Sequence, residues 1–201
     1  MKATNTAQRM VIHMPVLDND LYFATSNAHK HRELRAILGV PLTRIDIDLP
    51  EIQALDVTDV VRAKAIQAYE QTGKVVLVED TGLGFAAWNG LPGALMRWFL
   101  QTVGNEGLCR LMAGEANRAA VAKTAIGMFD GREVMVCHGE VQGTIAHQPA
   151  GDNGFGWDAI FQPEGQGRAE VKTFAEMTAE EKNHISSRRL AAEALRRRSH
   201  P

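Results

Sequence analysis

Cysteine is scarce in this chain: two residues, Cys109 and Cys137, occur among 201. That excludes a disulfide framework and fits buried or free thiols in a reducing, cytoplasmic compartment. Long apolar runs are also missing. None reaches the roughly 18 residues that a membrane span needs, so no membrane association is expected. A few basic residues near the N-terminus lack the apolar core of a signal peptide. Residues 1–15 mix polar residues and methionines without periodicity and read as a flexible extension. Residues 16–201 read as a single domain with room for a smaller lobe. Neither sign of charge is in excess, with 22 Lys and Arg against 24 Asp and Glu and a net charge of −2. No basic field points to nucleic acid, and no acidic excess points to disorder. The one basic run, Arg196-Arg197-Arg198, suits a helix C-terminus better than a nucleic-acid contact.

Several site motifs are absent as well. There is no Walker-A loop and no Gly-x-Ser-x-Gly elbow. The seven histidines show no zinc spacing, and His29 and His31 lie two apart, pointing different ways on a helix. The segment Gly82-Leu83-Gly84-Phe85-Ala86-Ala87 imitates a dinucleotide fingerprint. Its helix would break at Asn89-Gly90-Leu91-Pro92-Gly93, and no acidic residue follows about 20 positions on to hold a ribose.

What is present is a 45% hydrophobic chain in which strand and helix patterns alternate. Leu21–Ala24 reads as a strand that turns through Thr25-Ser26-Asn27 into a helix, His29–Leu38, with Asn27 as N-cap. Gly39 and Pro41 stop it. Residues 44–49 alternate as a strand would. A second helix runs from Thr58 to about Gln71. Further helices are expected over 94–103 and 107–113. Strands are expected over 121–129 and 133–143, with a hairpin at Asp130-Gly131. A glycine-rich loop, 152–158, leads to a short strand at Ala159-Ile160-Phe161. Thr178 caps a long final helix with capping-box spacing to Glu181. The alternation predicts an α/β fold.

The most informative segment is Val78-Glu79-Asp80-Thr81-Gly82. The apolar run Val75–Val78 predicts a buried strand, with Glu79 and Asp80 at its end and Thr81-Gly82 as a turn. Carboxylates at such a strand end can hold Mg²⁺, an ion that bridges carboxylate and phosphate; a solvated strand end is the plainer reading. Three more elements could join them around a triphosphate. Thr25-Ser26-Asn27-Ala28-His29-Lys30 offers helix-start amides and a lysine to phosphate. Phe155-Gly156-Trp157-Asp158 offers aromatics to a base and a carboxylate to its N–H groups, although the aromatics could equally fill a core. The final helix offers Lys182, Ser186, Arg188 and Arg189.

These segments carry a resemblance. Ala24–Lys30, Val78–Leu83, Asn89–Gly93, Phe155–Asp158 with Phe161 and Pro163, Thr173–Met177 and Glu181-Lys182-Asn183 resemble, in order, the inosine triphosphate pyrophosphatase family. That family hydrolyses non-standard purine nucleoside triphosphates such as ITP, dITP and XTP. The resemblance implies an elongated α/β fold, with a mixed sheet flanked by helices, two lobes and a central cleft. It also implies a Mg²⁺ requirement and a homodimer. Thr25, Ser26, Asn27, Ala28, His29, Lys30 and Lys64 would then hold phosphates. Glu51 and Asp80 would hold the metal, with Asp80 also positioning or deprotonating water. Thr81 would touch substrate, and Phe155, Gly156, Trp157, Asp158 and Lys182 would enclose the nucleotide. Two positions depart from the family pattern. Ser26 stands where glycine is usual. Ser187, beside Arg188, stands where a histidine usually joins the arginine in reading the 6-keto oxygen, and His184 is placed to compensate from the same helix. Altered base preference, or nucleotide binding without turnover, are the alternatives this leaves.

Overall fold

The computed structural model describes residues 21–167 and 171–199; the expected extension over 1–15 lies outside them. Strand β1 (Leu21–Ala24) feeds helix α1 (Ala28–Leu38), which returns the chain to strand β2 (Leu42–Ile45), parallel to β1. Asn27 caps α1 as expected: its side chain accepts from the amides of His29 at 2.9 Å and Lys30 at 3.1 Å. Helix α2 (Val57–Thr72) is capped by Asp56, and its inner face of Val57, Val61, Ala65 and Ala68 is buried.

Strand β3 (Val78–Phe85) is the spine of a five-stranded antiparallel sheet. On one side it pairs with β5 (Ala119–Phe129), then β6 (Val134–Ile145), then β7 (Phe161–Pro163); on the other it meets the short β4 (Pro92–Gly93). Here the structure corrects the sequence. The apolar run before Glu79 is the lead-in, and the carboxylates sit at the beginning of the strand. Thr81-Gly82 does not turn. A Cβ at Gly82 would lie 2.7 Å from the carbonyl carbon of Gly93, so glycine is present to admit a neighbouring chain, which is the other reason for glycine inside a strand. Leu77 bridges Phe23 in parallel, exchanging backbone hydrogen bonds of 2.9 Å with Tyr22 and Ala24. That bridge joins the β1–β2 pair to the start of β3, so α1's N-terminus opens beside the two carboxylates.

Smaller boundaries also shift. The expected strand over 44–49 is β2, and the expected strand at 159–161 is a 3-10 turn (Asp158–Ile160) followed by β7. Two short helices, α3 (Met96–Thr102) and α4 (Gly104–Leu111), follow β4. The Asp130-Gly131 hairpin stands as expected, with Asp130 accepting from the amides of Arg132 and Glu133 at 2.8 Å. The long final helix does not: it is two helices, α5 (Ala179–Ile185) and α6 (Ser187–Ser199), broken at Ser186. Ser186 has extended dihedrals, φ −74° and ψ 151°, and its hydroxyl caps α6 by accepting from the Arg189 amide at 3.2 Å.

The core falls into three apolar clusters. One gathers Phe23, Leu34, Leu77, Ile126 and Leu195 between α1, α6 and the sheet. Another gathers Phe85, Leu108, Phe161 and Phe174. A third packs Val61 and Ala65 of α2 on Val78 and Ala125. Each fully buried Phe or Leu contributes roughly 1.5–3 kcal/mol before entropic costs. Helix α6 lies directly on β6: a Cβ at Gly139 would meet the Ser187 carbonyl oxygen at 2.1 Å.

Candidate active site

A cleft of about 230 Å³ opens where α1, β3, α2, α3, the 155–158 loop and the α5–α6 junction meet. Its lining includes Thr25, Ser26, Asn27, Lys30, Glu51, Lys64, Asp80, Thr81, Phe155, Gly156, Trp157, Asp158, Lys182, Ser187 and Arg188. Residues chosen from six separate stretches of sequence therefore converge. Ala28 and His29 do not line it: Ala28 begins α1, and the His29 ring packs against Phe155 at 5.0 Å.

At one end stand the strand-start carboxylates. Lys64 projects from α2 between Asp80 and Glu51 of the loop before α2, donating to Glu51 at 2.5 Å and to Asp80 at 3.0 Å. Arg97 of α3, half exposed, donates to the other oxygen of Glu51 at 3.2 Å. Burial pushes the Asp80 carboxyl above its ordinary value, and the cations of Lys30 and Lys64 only partly counter it. Burial also opposes charge on Glu51, but there Lys64 wins and holds the carboxyl low. Glu79, next in line to Asp80, is enclosed. It accepts from Arg188 at 2.7 and 3.0 Å and from the Thr81 hydroxyl at 2.7 Å, and it pairs with Lys30 at 3.3 Å. Burial opposes its charge, yet Arg188 and Lys30 hold its carboxyl far below the carboxylate range. Two adjacent carboxylates are thus driven apart. Asp80 is the one suited to take a proton, and Glu79 is a fixed anion that orients arginine.

At the other end Phe155 forms a wall. The Lys182 ammonium lies 4.8 Å from its ring centroid and the Arg188 guanidinium 5.8 Å. Trp157 packs edge-on to Phe161 at 5.5 Å and tilted to Phe174 at 6.2 Å, so it serves the core as well as the cleft. Asp158 lines the cleft and is partly engaged by protein. One of its oxygens accepts from Lys182 at 2.6 Å and from the Phe155 amide at 2.7 Å, which shapes the loop. Asn105 of α4 supports the same loop through the Gly156 carbonyl at 2.9 Å.

Sequence reasoning missed Glu33. It sits on α1, one turn past Lys30, and binds Lys182 at 2.7 Å and Arg188. The break at Ser186 makes this possible. On one continuous helix, residues six apart such as Lys182 and Arg188 would point about 120° away from each other. Removing one member of such a buried ionic set costs roughly 3–5 kcal/mol, since its partners stay buried. The only signal available for Glu33 was its three-residue spacing from Lys30. Arg97 and Thr124 were missed as well. His184 does not compensate for Ser187. It is exposed, belongs to the helix before the break, and contacts Arg189 at 3.4 Å.

Among the described residues, the cleft lining includes five carboxylates (Asp48, Glu51, Glu79, Asp80, Asp158) and five cations (Lys30, Lys64, Arg97, Lys182, Arg188). Fold and cleft together define a class: an α/β protein with a cleft lined by both carboxylates and cations, a helix N-terminus and an aromatic ring. The chain belongs to the Ham1 family, whose sequence profile matches residues 21–198. It is 44% identical over 179 residues to the inosine triphosphate pyrophosphatase of Yarrowia lipolytica, covering 87% of this chain and 92% of that one. It is 41% identical over 175 residues to the dITP/XTP pyrophosphatase of Methanopyrus kandleri, covering 85% and 91%. A HAM1 protein structure from Coxiella burnetii superposes with a TM-score of 0.73 at 28% identity, covering 88% of this chain and 97% of that one.

Proposed function

We propose that this chain hydrolyses non-standard purine nucleoside triphosphates such as ITP, dITP and XTP to the nucleoside monophosphate and pyrophosphate. The observation that carries the reading is the Glu51–Lys64–Asp80 cluster, in one cleft with the residues that start α1 and the Phe155 ring. The names of the two relatives agree with it. Binding without turnover is not favoured, because the relatives that the chain matches are named as pyrophosphatases.

The α1 amides beyond Asn27, with Lys30, receive phosphate oxygens. Asp80 holds the attacking water and takes its proton as the new oxygen–phosphorus bond forms at the α-phosphorus; the bond to the bridging oxygen breaks and pyrophosphate leaves. Lys64 offsets the two carboxylates, so that a third anion can approach. Phe155 and Lys182 hold the nucleoside end.

The charge balance bears on the metal. A triphosphate entering a cleft of no net charge needs further positive charge, and Mg²⁺ is held in such sites by one or two carboxylates plus substrate phosphates. Among the described residues no group of three or more His, Cys, Asp or Glu side chains is arranged to hold a metal by itself. Among the described residues one oxygen of Asp80 has no hydrogen-bond partner, and Glu51 shares Lys64 with it; these two would hold the ion. When bound it would polarise phosphoryl oxygens and offset developing charge. The two buried free thiols suit a cytoplasmic setting, and a homodimer is the assembly we infer from the family resemblance.

Incubation with a panel of nucleoside triphosphates, with and without Mg²⁺, followed by product chromatography, tests the reading. Monophosphate and pyrophosphate from ITP, lost on chelation, are expected. Diphosphate plus orthophosphate would overturn attack at the α-phosphorus.

A further inference from the structure

The loop that carries Phe155 has little stiffness of its own and is held from two sides. Gly154 and Gly156 have φ of +75° and +64°, a region that glycine enters freely and other residues rarely. From within the loop, Asp158 accepts from the Phe155 amide at 2.7 Å. From outside it, the side-chain amide of Asn105 donates to the Gly156 carbonyl at 2.9 Å, across a separation of 51 residues. A carbonyl only accepts, so the Nδ2 side of Asn105 must face it. The Oδ1 of Asn105 is then shut away from solvent with no partner among the described residues. A buried acceptor in that state lowers stability, and in a native protein it needs a reason other than stability.

The peptide unit that Asn105 holds supplies one. The Gly156–Trp157 unit is planar and trans, so its C=O and N–H point in opposite directions. Its carbonyl is turned to Asn105, which does not line the cleft, whereas Gly156 and Trp157 both do. The opposite edge of the unit is the Trp157 N–H. That group has no hydrogen-bond partner among the described residues. A backbone donor thus stands unused in the wall of the cleft, and its direction is set from the far side by one side chain.

We propose that Asn105 is a positioning residue for the nucleoside end of the cleft: by holding the Gly156 carbonyl it keeps the Trp157 N–H turned to the bound nucleotide, as a donor to an acceptor atom of the nucleoside. This rests on the function proposed above and adds a residue that touches no ligand itself. Asn105 contributes through the nucleoside alone, because its one tie is to the 155–158 loop and it has none to Glu51, Lys64 or Asp80. Its removal therefore weakens ligands that carry a nucleoside and spares those that are phosphate only.

The test compares wild type, Asn105→Ala and Asn105→Asp. Binding of IMP and of pyrophosphate is measured by titration calorimetry, kcat and KM are measured for ITP, and melting temperatures are recorded. Asn105→Ala should weaken IMP by about 5-fold, the scale of one hydrogen bond between neutral groups, with pyrophosphate affinity unchanged. The KM for ITP should rise by a similar factor and kcat should stay within about twofold, the pattern of lost uniform binding. The melting temperature should not fall, since the variant also removes a buried oxygen without a partner. Asn105→Asp sets an oxygen against the Gly156 carbonyl and should weaken IMP at least as much. An unchanged IMP affinity in either variant, or a loss shared equally by IMP and pyrophosphate, would overturn the proposal and leave the proposed function standing. No turnover of ITP by the wild type would instead remove the function on which it rests.

Discussion

Asp80 and Glu79 are neighbours in sequence with opposite fates. Alternation along β3 turns them to opposite faces, and each face supplies different partners. Glu79 meets Arg188, Lys30 and Thr81; Asp80 meets Lys64 at the cleft floor. Replacing Asp80 by Asn should therefore lower turnover of ITP by roughly 10²-fold or more, the usual scale for a positioned base. The melting temperature should change little, because Asn keeps the shape and Lys64 keeps Glu51. Near-normal turnover in that variant would place the base elsewhere. The acidic pair was legible in the sequence as a candidate, but the division of labour was not. It depends on Arg188, 109 positions away, and on Lys30 from another element. Glu33 was hidden for the same reason, since both its partners lie about 150 residues later in the chain.

At the level of elements, local chemistry was readable wherever it was self-contained. The Asn27 cap, the Asp130-Gly131 hairpin and the Thr178–Glu181 capping box all need only neighbouring residues, and all are present. Misreadings arose where a distant element decided. Gly82 looks like a turn residue until β4 is known to press against it. The α5–α6 stretch looks like one helix because helix-forming residues continue through it; the serine at 186 is both the end of one helix and the cap of the next. Ser186→Ala should cost about 1 kcal/mol, the usual value of a lost N-cap, and lower the melting temperature by a few degrees. Because that cap sets the direction in which α6 leaves the cleft, kcat/KM for ITP should fall by more than the stability loss accounts for at 25 °C. A variant with an unchanged melting temperature would show that the Arg189 amide finds another acceptor.

On the scale of the whole molecule, the sequence pointed to an α/β protein and placed the cleft-lining segments in their right order. It could not show that the main sheet is antiparallel, because alternating strands and helices at the ends of the chain conceal a central meander. The cleft's equal count of carboxylates and cations has a consequence for encounter with the ligand. Proteins that capture anions rapidly do so with a one-signed field, which raises association rates at low salt and fades as salt is added. Here the lining charges are of mixed sign and nearly balanced in number, and the chain as a whole carries −2. Diffusing nucleotide is not drawn in from a distance; recognition begins within a few ångströms, where individual charges are felt separately. With the Mg²⁺–nucleotide complex kept saturated, kcat/KM should thus vary less than about threefold between 20 mM and 300 mM salt, against the steeper fall of a steered enzyme. An enzyme that sorts a rare nucleotide from a crowd of common ones gains from this: a long-range field would draw in every triphosphate alike, whereas a neutral mouth leaves selection to contact.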